Sequence, residues 1–374
     1  SVRELNMGNK IPVTLSIGIG KSDDIRQSDE FARASVDMCL GRGGDQAVIK
    51  DTEQFRFFGG RSESIEKNTR VKARVVAYAL RELMDQAGEV FIVGHKHADP
   101  DSFGAAVGIC KMAKARGAAG YIVIDELQAS TVKLYKTFEN DENYKDVFVS
   151  ESTALQLYTA NSLLVVVDTH NPEYIEAQRL LNMCENIVLI DHHRRGKNFI
   201  ANTTLTYHEP YASSTCEMVT EIAQYMDENL KFSVAEAQAL YAGIALDTKN
   251  FSVKTGVRTF EAASFLRRMG VDTVAVRRLF QNDLNLYIKR AKIVSNAQIY
   301  KDHIAISAWD EEEREANIVT SQAADELLNI SEVSASFVLC KSGDTIVISG
   351  RSLGNYNVQV VLEQLGGGGH MTVA

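Results

Sequence analysis

Residues Val93–Gly104 read VGHKHADPDSFG and directly follow the apolar run VFIV, Val90–Val93. The eight residues from Gly94 hold two histidines, two aspartates and one of only four prolines in a chain of 374 residues. An apolar run of this length, closed by polar turn formers, reads as a buried strand. The same rhythm recurs in GYIVID (Gly120–Asp125), LLVVVD (Leu163–Asp168) and NIVLID (Asn186–Asp191), with helical patterns between them. Continuous apolar strands separated by helices imply a buried parallel sheet. In open sheets of that kind, ligands gather at the carboxyl ends of the strands.

Those ends carry the titratable residues. VFIV leads into His95, Asp99 and Asp101, LLVVV into Asp168, and IVLI into Asp191, His192 and His193. AGIALDTKNF sets Asp247 behind a further apolar run, read as an equivalent strand end. Any one of these aspartates would serve as a helix cap or turn former, and His192 and His193 as one buried and one solvated ring. Four segments bringing the same polarity to one rim ask for more. Crowded carboxylates raise one another's pKa, and divalent cations remove that repulsion. A mixed Asp and His set without cysteine suits manganese or a similar ion better than thiolate zinc. His97 reads as a solvated side chain.

The totals narrow the class. Hydrophobic residues at 45% and charged residues at 24% are those of an ordinary globular protein. A net charge of −9 argues against gripping long nucleic acid by its phosphates, while a local cationic site leaves room for a small phosphate compound. The five cysteines form no C-x-x-C pair, which fits a reducing cytosol and excludes a disulfide or zinc framework. No apolar run reaches the length of a membrane span, and no signal peptide is visible.

Outside the central region, VTLSIGIG (Val13–Gly20) reads as a strand, Phe31–Leu40 as a helix, GRGGDQ (Gly41–Gln46) as a turn and AVIK as a short strand. Ser62–Gln86 reads as a helical connector, and Phe260–Ala297 as a long helical region. A smaller α+β domain follows: HIAISAWD, a helix near Ser321–Leu328, and SASFVLCKSG with DTIVISGRS, joined at KSGD as a hairpin. In GGGGH (Gly366–His370) the glycines permit close approach of backbone to a phosphate, with His370 or Arg351 adding charge. SSTCE (Ser213–Glu217) reads as a helix N-terminus that could face an anion.

In this order GHKHADPDS, VVVDTH, IDHHR and ALDTKNF resemble the four motifs of the DHH phosphoesterases, with Asp191–His193 as the signature. GRSLGNYNVQVVLEQLGGGGH resembles the core of the DHH-associated domain, and VTLSIGIG with GRGGDQAVIK is similar to the end of a degenerate GGDEF domain. The three-part order resembles the membrane-anchored cyclic-di-AMP phosphodiesterases of the GdpP type, over nearly the whole chain. The fold this implies is α/β: a DHH domain with a parallel sheet flanked by helices, plus a smaller α+β DHH-associated domain. The expected division is a GGDEF-like end at 1–55, a helical connector at 56–88, the DHH domain at 89–258, a helical linker at 259–297 and a DHH-associated nucleotide-binding domain, its completeness left open, at 298–374.

The resemblance also implies two Mn2+ ions per site. His95, Asp99 and Asp168 would hold one; Asp101, Asp168, His192 and Asp247 the other, with Asp168 bridging. Asp191 and His193 would be catalytic, His193 orienting the phosphate or protonating the leaving group. Arg351, Asn357, Gly369 and His370 would grip the far phosphate or sugar. The implied activity is hydrolysis of cyclic di-AMP to the linear 5′-phosphorylated dinucleotide pApA. The alternatives are a nanoRNase or 3′-phosphoadenosine phosphatase of the same family, and a non-catalytic nucleotide sensor. Expected partners are cyclic di-AMP or a short linear dinucleotide, without long nucleic acid or membrane contact in this fragment, and with a homodimer left open. The expected location is the cytoplasm, in a parent anchored in the membrane by an absent N-terminal region where the family carries membrane spans and a PAS sensor.

Overall fold

A computed structural model describes residues 15–41, 46–52, 55–59, 70–196, 198–281, 284–301, 303–310, 316–369 and 371–374. The chain divides into two compact units, Ser1–Leu279 and Phe280–Ala374.

The first unit opens with β1 (Ile17–Gly20), α1 (Ile25–Gly41), β2 (Gln46–Lys50) and β3 (Phe55–Gly59). These strands form a small sheet in the order β1-β2-β3, parallel then antiparallel. Helix α1 is longer than the Phe31–Leu40 pattern indicates, and β3 is not foreshadowed. α2 (Arg70–Gln86) follows. Its Ala73, Val76, Ala77, Leu80 and Met84 repeat at helical spacing and are buried, so this helix is packed into the unit rather than a bare connector.

The main sheet contains β4 (Glu89–Val93), β5 (Ala119–Val123), β6 (Phe148–Val149), β7 (Leu163–Val167), β8 (Asn186–Asp191) and β9 (Leu205–His208). The order is β6-β5-β4-β7-β8-β9, and every pairing is parallel. Between the strands run α3 (Pro100–Ala115), α4 (Val132–Tyr135), α5 (Glu151–Leu157) and α6 (Gln178–Met183). After them come α7 (Thr215–Met226), α8 (Val234–Asp247), α9 (Val257–Arg268) and α10 (Thr273–Leu279).

Alternation along the strands feeds both faces of the sheet. Phe91 and Val93 join Leu164 and Val166 in a core with Ala154 of α5 and Leu180 of α6. The intervening Val90, Ile92, Leu163 and Val165 are equally buried, and α3 packs on β4, β5 and β7. Burial on both faces is why these strands read as unbroken apolar runs.

The helical stretch anticipated up to 297 is three helices, α9, α10 and α11 (Leu284–Ser295). Gly270 adopts φ +98° just past α9, a left-handed stop that glycine takes at little cost. Asp272 then accepts from Val274 N at 2.9 Å as α10 starts. The expected boundary between 258 and 259 falls inside α9.

The second unit adds β10 (Gln298–Tyr300), β11 (Ile304–Trp309), α12 (Ala316–Leu327), β12 (Ala335–Ser342), β13 (Thr345–Ser352) and α13 (Val358–Glu363). Its sheet runs β10-β11-β12-β13, with β11 and β12 parallel and the other pairs antiparallel. Trp309, Val319, Ala323, Leu327 and Val338 form its core. The hairpin at KSGD closes with Ser342 opposite Thr345, and Gly343 takes φ +58° in the tight loop. Among the described residues no helix is long and apolar enough to cross a membrane.

Candidate metal centre

Strands β4 and β7 are neighbours, yet the chain leaves β4 toward β5 and β6 and leaves β7 toward β8 and β9. The reversal opens a crevice at their carboxyl ends. From β4 the chain passes His95 and reaches Asp99, the N-cap of α3, whose Oδ1 accepts from Asp101 N at 2.9 Å and Ser102 N at 3.0 Å. Pro100 starts the helix and Asp101 lies in its first turn. Asp168 follows β7 with φ +62°, a conformation that costs a non-glycine residue energy and concentrates at functional sites. Asp191 ends β8, with His192 and His193 beyond it.

Asp247 arrives differently from the expectation. It is the last residue of a helix, α8, and not a strand end. The helix starts from a capping box made by Ser233 and Glu236 and is buried nearly all round. A helix buried on every side loses its polar stripe, so AGIAL cannot be told from a strand by periodicity. Two glycines let α8 cross close to α3. A Cβ on Gly104 would lie 2.4 Å from Ala239 O, and one on Gly243 2.8 Å from Asp101 Cα.

Four groups of three ligand-type side chains converge: His95, Asp99 and Asp168; Asp101, His192 and Asp247; Asp168, His192 and His193; and His170, Asp191 and His208. His95 Nε2 lies 3.4 Å from Asp168 Oδ2 and 4.0 Å from Asp99 Oδ1. His192 Nε2 lies 3.1 Å from Asp247 Oδ2, 3.6 Å from Asp168 Oδ1 and 3.8 Å from Asp101 Oδ2. Asp168 thus touches both the His95 and the His192 groups. His97 is exposed and joins none of these groups.

The electrostatics are those of crowded acids. Burial, then the charges of Asp101, Asp99, Asp247 and Asp191, hold Asp168 well above the usual carboxylate range. Burial and then Asp247 push Asp101 up; burial and then Asp101 do the same to Asp99. Burial lowers His95. Burial also opposes charge on His192, but Asp247, Asp101 and Asp191 outweigh it and raise the ring to about 9. Asp191 moves the other way: against its burial, hydrogen bonds from His170 and His193 draw it below the ordinary range.

A divalent cation fits this arrangement. His192 Nε2 is buried among three carboxylates, and even its 3.1 Å ion pair with Asp247 Oδ2 lacks the alignment of a full hydrogen bond. An orphaned imidazole nitrogen among repelling carboxylates is the donor set of a hard or borderline cation. No thiolate is involved, because the Cys216 thiol donates to Asp101 O at 3.2 Å.

Several participants are invisible along the sequence. The N-terminus of α7 does face an anion, but the anion is Asp101: Thr215 N donates to its Oδ2 at 2.7 Å and Cys216 N to its Oδ1 at 2.9 Å. Thr215 Oγ1 donates to Asp168 Oδ1 at 3.0 Å, and Ser214 is the cap. His170 and His208 join Asp191; VVVDTH is the only local signal for His170.

In the second unit, Arg351 Nε pairs with Asp325 Oδ1 at 3.2 Å, and its Nη1 donates to Gly350 O at 3.0 Å. Asn357 caps α13, accepting from Val360 N at 3.3 Å. Gly369 has φ +141°, and a Cβ there would lie 2.4 Å from Ala374 Cα. His370 is outside the described residues.

Residues 89–244 match the DHH family, N-terminal domain. Residues 2–57 match the GGDEF domain of cyclic-di-AMP phosphodiesterase GdpP-like proteins, and residues 301–374 match the DHHA1 domain. The whole chain is 45% identical, over 380 residues, to cyclic-di-AMP phosphodiesterase GdpP of Bacillus subtilis, and 43% identical, over 378 residues, to cyclic-di-AMP phosphodiesterase PdeA of Listeria monocytogenes. It spans 58% of the length of each. The fold is shared with an exopolyphosphatase-related protein from Bacteroides fragilis, at TM-score 0.66 and 18% identity over 80% of this chain and 90% of that one.

Proposed function

We propose that this chain carries the catalytic part of a phosphodiesterase that opens cyclic di-AMP to the linear 5′-phosphorylated dinucleotide pApA. One observation carries the reading: Asp168 and His192, both buried, link carboxylate and imidazole groups from three strand ends and one helix end into a single cluster. The full-length likeness to proteins named cyclic-di-AMP phosphodiesterases supports the choice of substrate.

In this reading His95, Asp99 and Asp168 hold one divalent cation, and Asp101, Asp168, His192 and Asp247 hold a second, with Asp168 shared. Manganese is the proposed ion, from the nitrogen and oxygen donor set. When bound, such a pair would supply positive charge against the phosphoryl oxygens and lower the pKa of a water so that, deprotonated to hydroxide, it could attack phosphorus. The chain's residues do the rest. Thr215 and Cys216 hold Asp101 rigid through their N–H groups, and Thr215 fixes Asp168. His193, with its side chain 54% exposed, is available to a phosphate oxygen or to the leaving 3′-oxygen. Arg351, Asn357, Gly369 and His370 are proposed to hold the distal phosphate or sugar. A cytoplasmic setting and a membrane-anchored parent belong to the same proposal, and the homodimer stays open.

The test is a product assay with cyclic di-AMP, cyclic di-GMP and short RNA, with chelator and with manganese restored. Manganese-dependent conversion of cyclic di-AMP to pApA, faster than RNA breakdown, is expected. A wide preference for RNA would move the assignment to a nanoRNase, and binding without turnover would make the chain a sensor.

A further inference from the structure

His170 is buried beside the acidic cluster. Phe199 stacks on it with centroids 5.2 Å apart at 27°, and the His208 ring meets it edge-on at 5.5 Å. Gly196 N donates to His170 Nε2 at 2.8 Å. That bond decides the tautomer. An imidazole nitrogen that accepts an N–H carries no proton, so the single proton of the neutral ring sits on Nδ1. From there it is donated to Asp191 Oδ2. The other oxygen, Asp191 Oδ1, accepts from His193 Nδ1 at 2.8 Å and from His193 N at 3.2 Å. A carboxylate only accepts, so His193 Nδ1 is protonated too, and Nε2 is the nitrogen left to face the substrate. His208 Nε2 holds the same corner by donating to His193 O at 2.6 Å.

We infer that His170 is a positioning residue: through Asp191 it sets the tautomer and orientation of His193, so that His193 offers Nε2 to the substrate. Three N–H groups on one carboxylate, one from His170 and two from His193, leave Asp191 little freedom to rotate, and His193 has its ring held through that carboxylate. His170 passes no proton, because the Gly196 N–H occupies its far nitrogen. This is the general logic of outer residues that fix a reactive imidazole through its second nitrogen. The consequence for turnover rests on the phosphodiesterase reading; the hydrogen-bonded line does not.

Two variants separate positioning from packing. His170→Asn keeps an N–H donor near the place of Nδ1 but loses the ring. His170→Phe keeps the ring and its stacking on Phe199 but has no donor. The first readout is the ring 15N spectrum of His193 in the metal-free full chain. The Nδ1–H tautomer is expected in the wild type and in His170→Asn, and a mixture of tautomers in His170→Phe. The second is manganese-loaded turnover of cyclic di-AMP. His170→Phe should lose kcat about 10–100-fold with KM and bound manganese unchanged, and His170→Asn should recover most of the loss. An unchanged His193 spectrum in His170→Phe overturns the inference, as does a loss in His170→Asn equal to or larger than in His170→Phe, which a packing role predicts. If the wild type opens no phosphodiester, the proposed function falls, and the ring spectrum still decides the role of His170.

Discussion

Binding of a cation at the His192 group should expel a proton, and the pH dependence of that step is measurable. Without a cation, the surrounding carboxylates raise His192 from 6.5 to about 9, so the ring is charged at neutral pH. A metal takes the neutral imidazole. At pH 7 the ring is about two units below its pKa, and at about 1.4 kcal/mol per unit the displaced proton costs about 3 kcal/mol. From this proton alone, the apparent affinity for manganese should be about a hundredfold weaker at pH 7 than above pH 9, climbing about tenfold per pH unit between. The sign for the metal-free fold is opposite. The folded value lies above the unfolded 6.5, so the charged ring stabilises the fold fully below about 6.5, progressively less toward 9, and not at all above. The assay is calorimetric titration of chelator-stripped protein with manganese at pH 7, 8 and 9, in buffers of different ionisation enthalpy, which counts protons released. His192→Gln should lower the affinity and flatten its pH slope by one proton. Equal affinities at pH 7 and 9, or an unchanged slope in His192→Gln, would refute the reasoning.

Asp168→Asn keeps an oxygen for the Thr215 hydroxyl but removes the shared anion. It should abolish nearly all hydrolysis and lower bound manganese, and, because Asp168 is held above its usual pKa, it should raise the melting temperature of the metal-free protein at neutral pH. Gly104→Ala would place a Cβ 2.4 Å from Ala239 O. It should destabilise the first unit by about 1–3 kcal/mol and weaken manganese binding by moving α8, and therefore Asp247, away; urea unfolding followed by circular dichroism, with a manganese titration, checks both. Buried Arg258 donates to Glu221 Oε1 at 2.6 Å and to the Tyr207 hydroxyl at 3.2 Å. Arg258→Met should cost about 3–5 kcal/mol by stranding the Glu221 carboxylate, and adding Glu221→Leu should recover much of it in the same unfolding measurement.

The local sequence determined a great deal here, because the elements that matter have strong signals. Strands β4, β7 and β8 are buried on both faces, so each is an unbroken run of apolar residues. Each ends in residues that could only be there for polar chemistry or turns, and the order DHH, then DHH-associated domain, can be read from four motifs and a glycine run. Elements with weak patterns escaped: β6 has two residues, and β9 is a four-residue edge strand.

Tertiary structure decided which of these side chains meet, and for identifiable reasons. Asp247 was legible as an acid behind an apolar run, but a helix buried all round has the composition of a strand; only the close crossing allowed by Gly104 and Gly243 puts its carboxylate 3.1 Å from His192. His170 and Asp191 are 21 residues apart, and the N–H of Thr215 reaches Asp101 across 114. Spacing along the chain carries no record of such pairs, since hydrogen bonds depend on distance and angle in space. The sequence thus names the acids, the imidazoles and the strands that bear them. The reversal of strand order between β4 and β7 brings them to one crevice, where burial and mutual repulsion shift their pKa values in ways that composition alone does not contain.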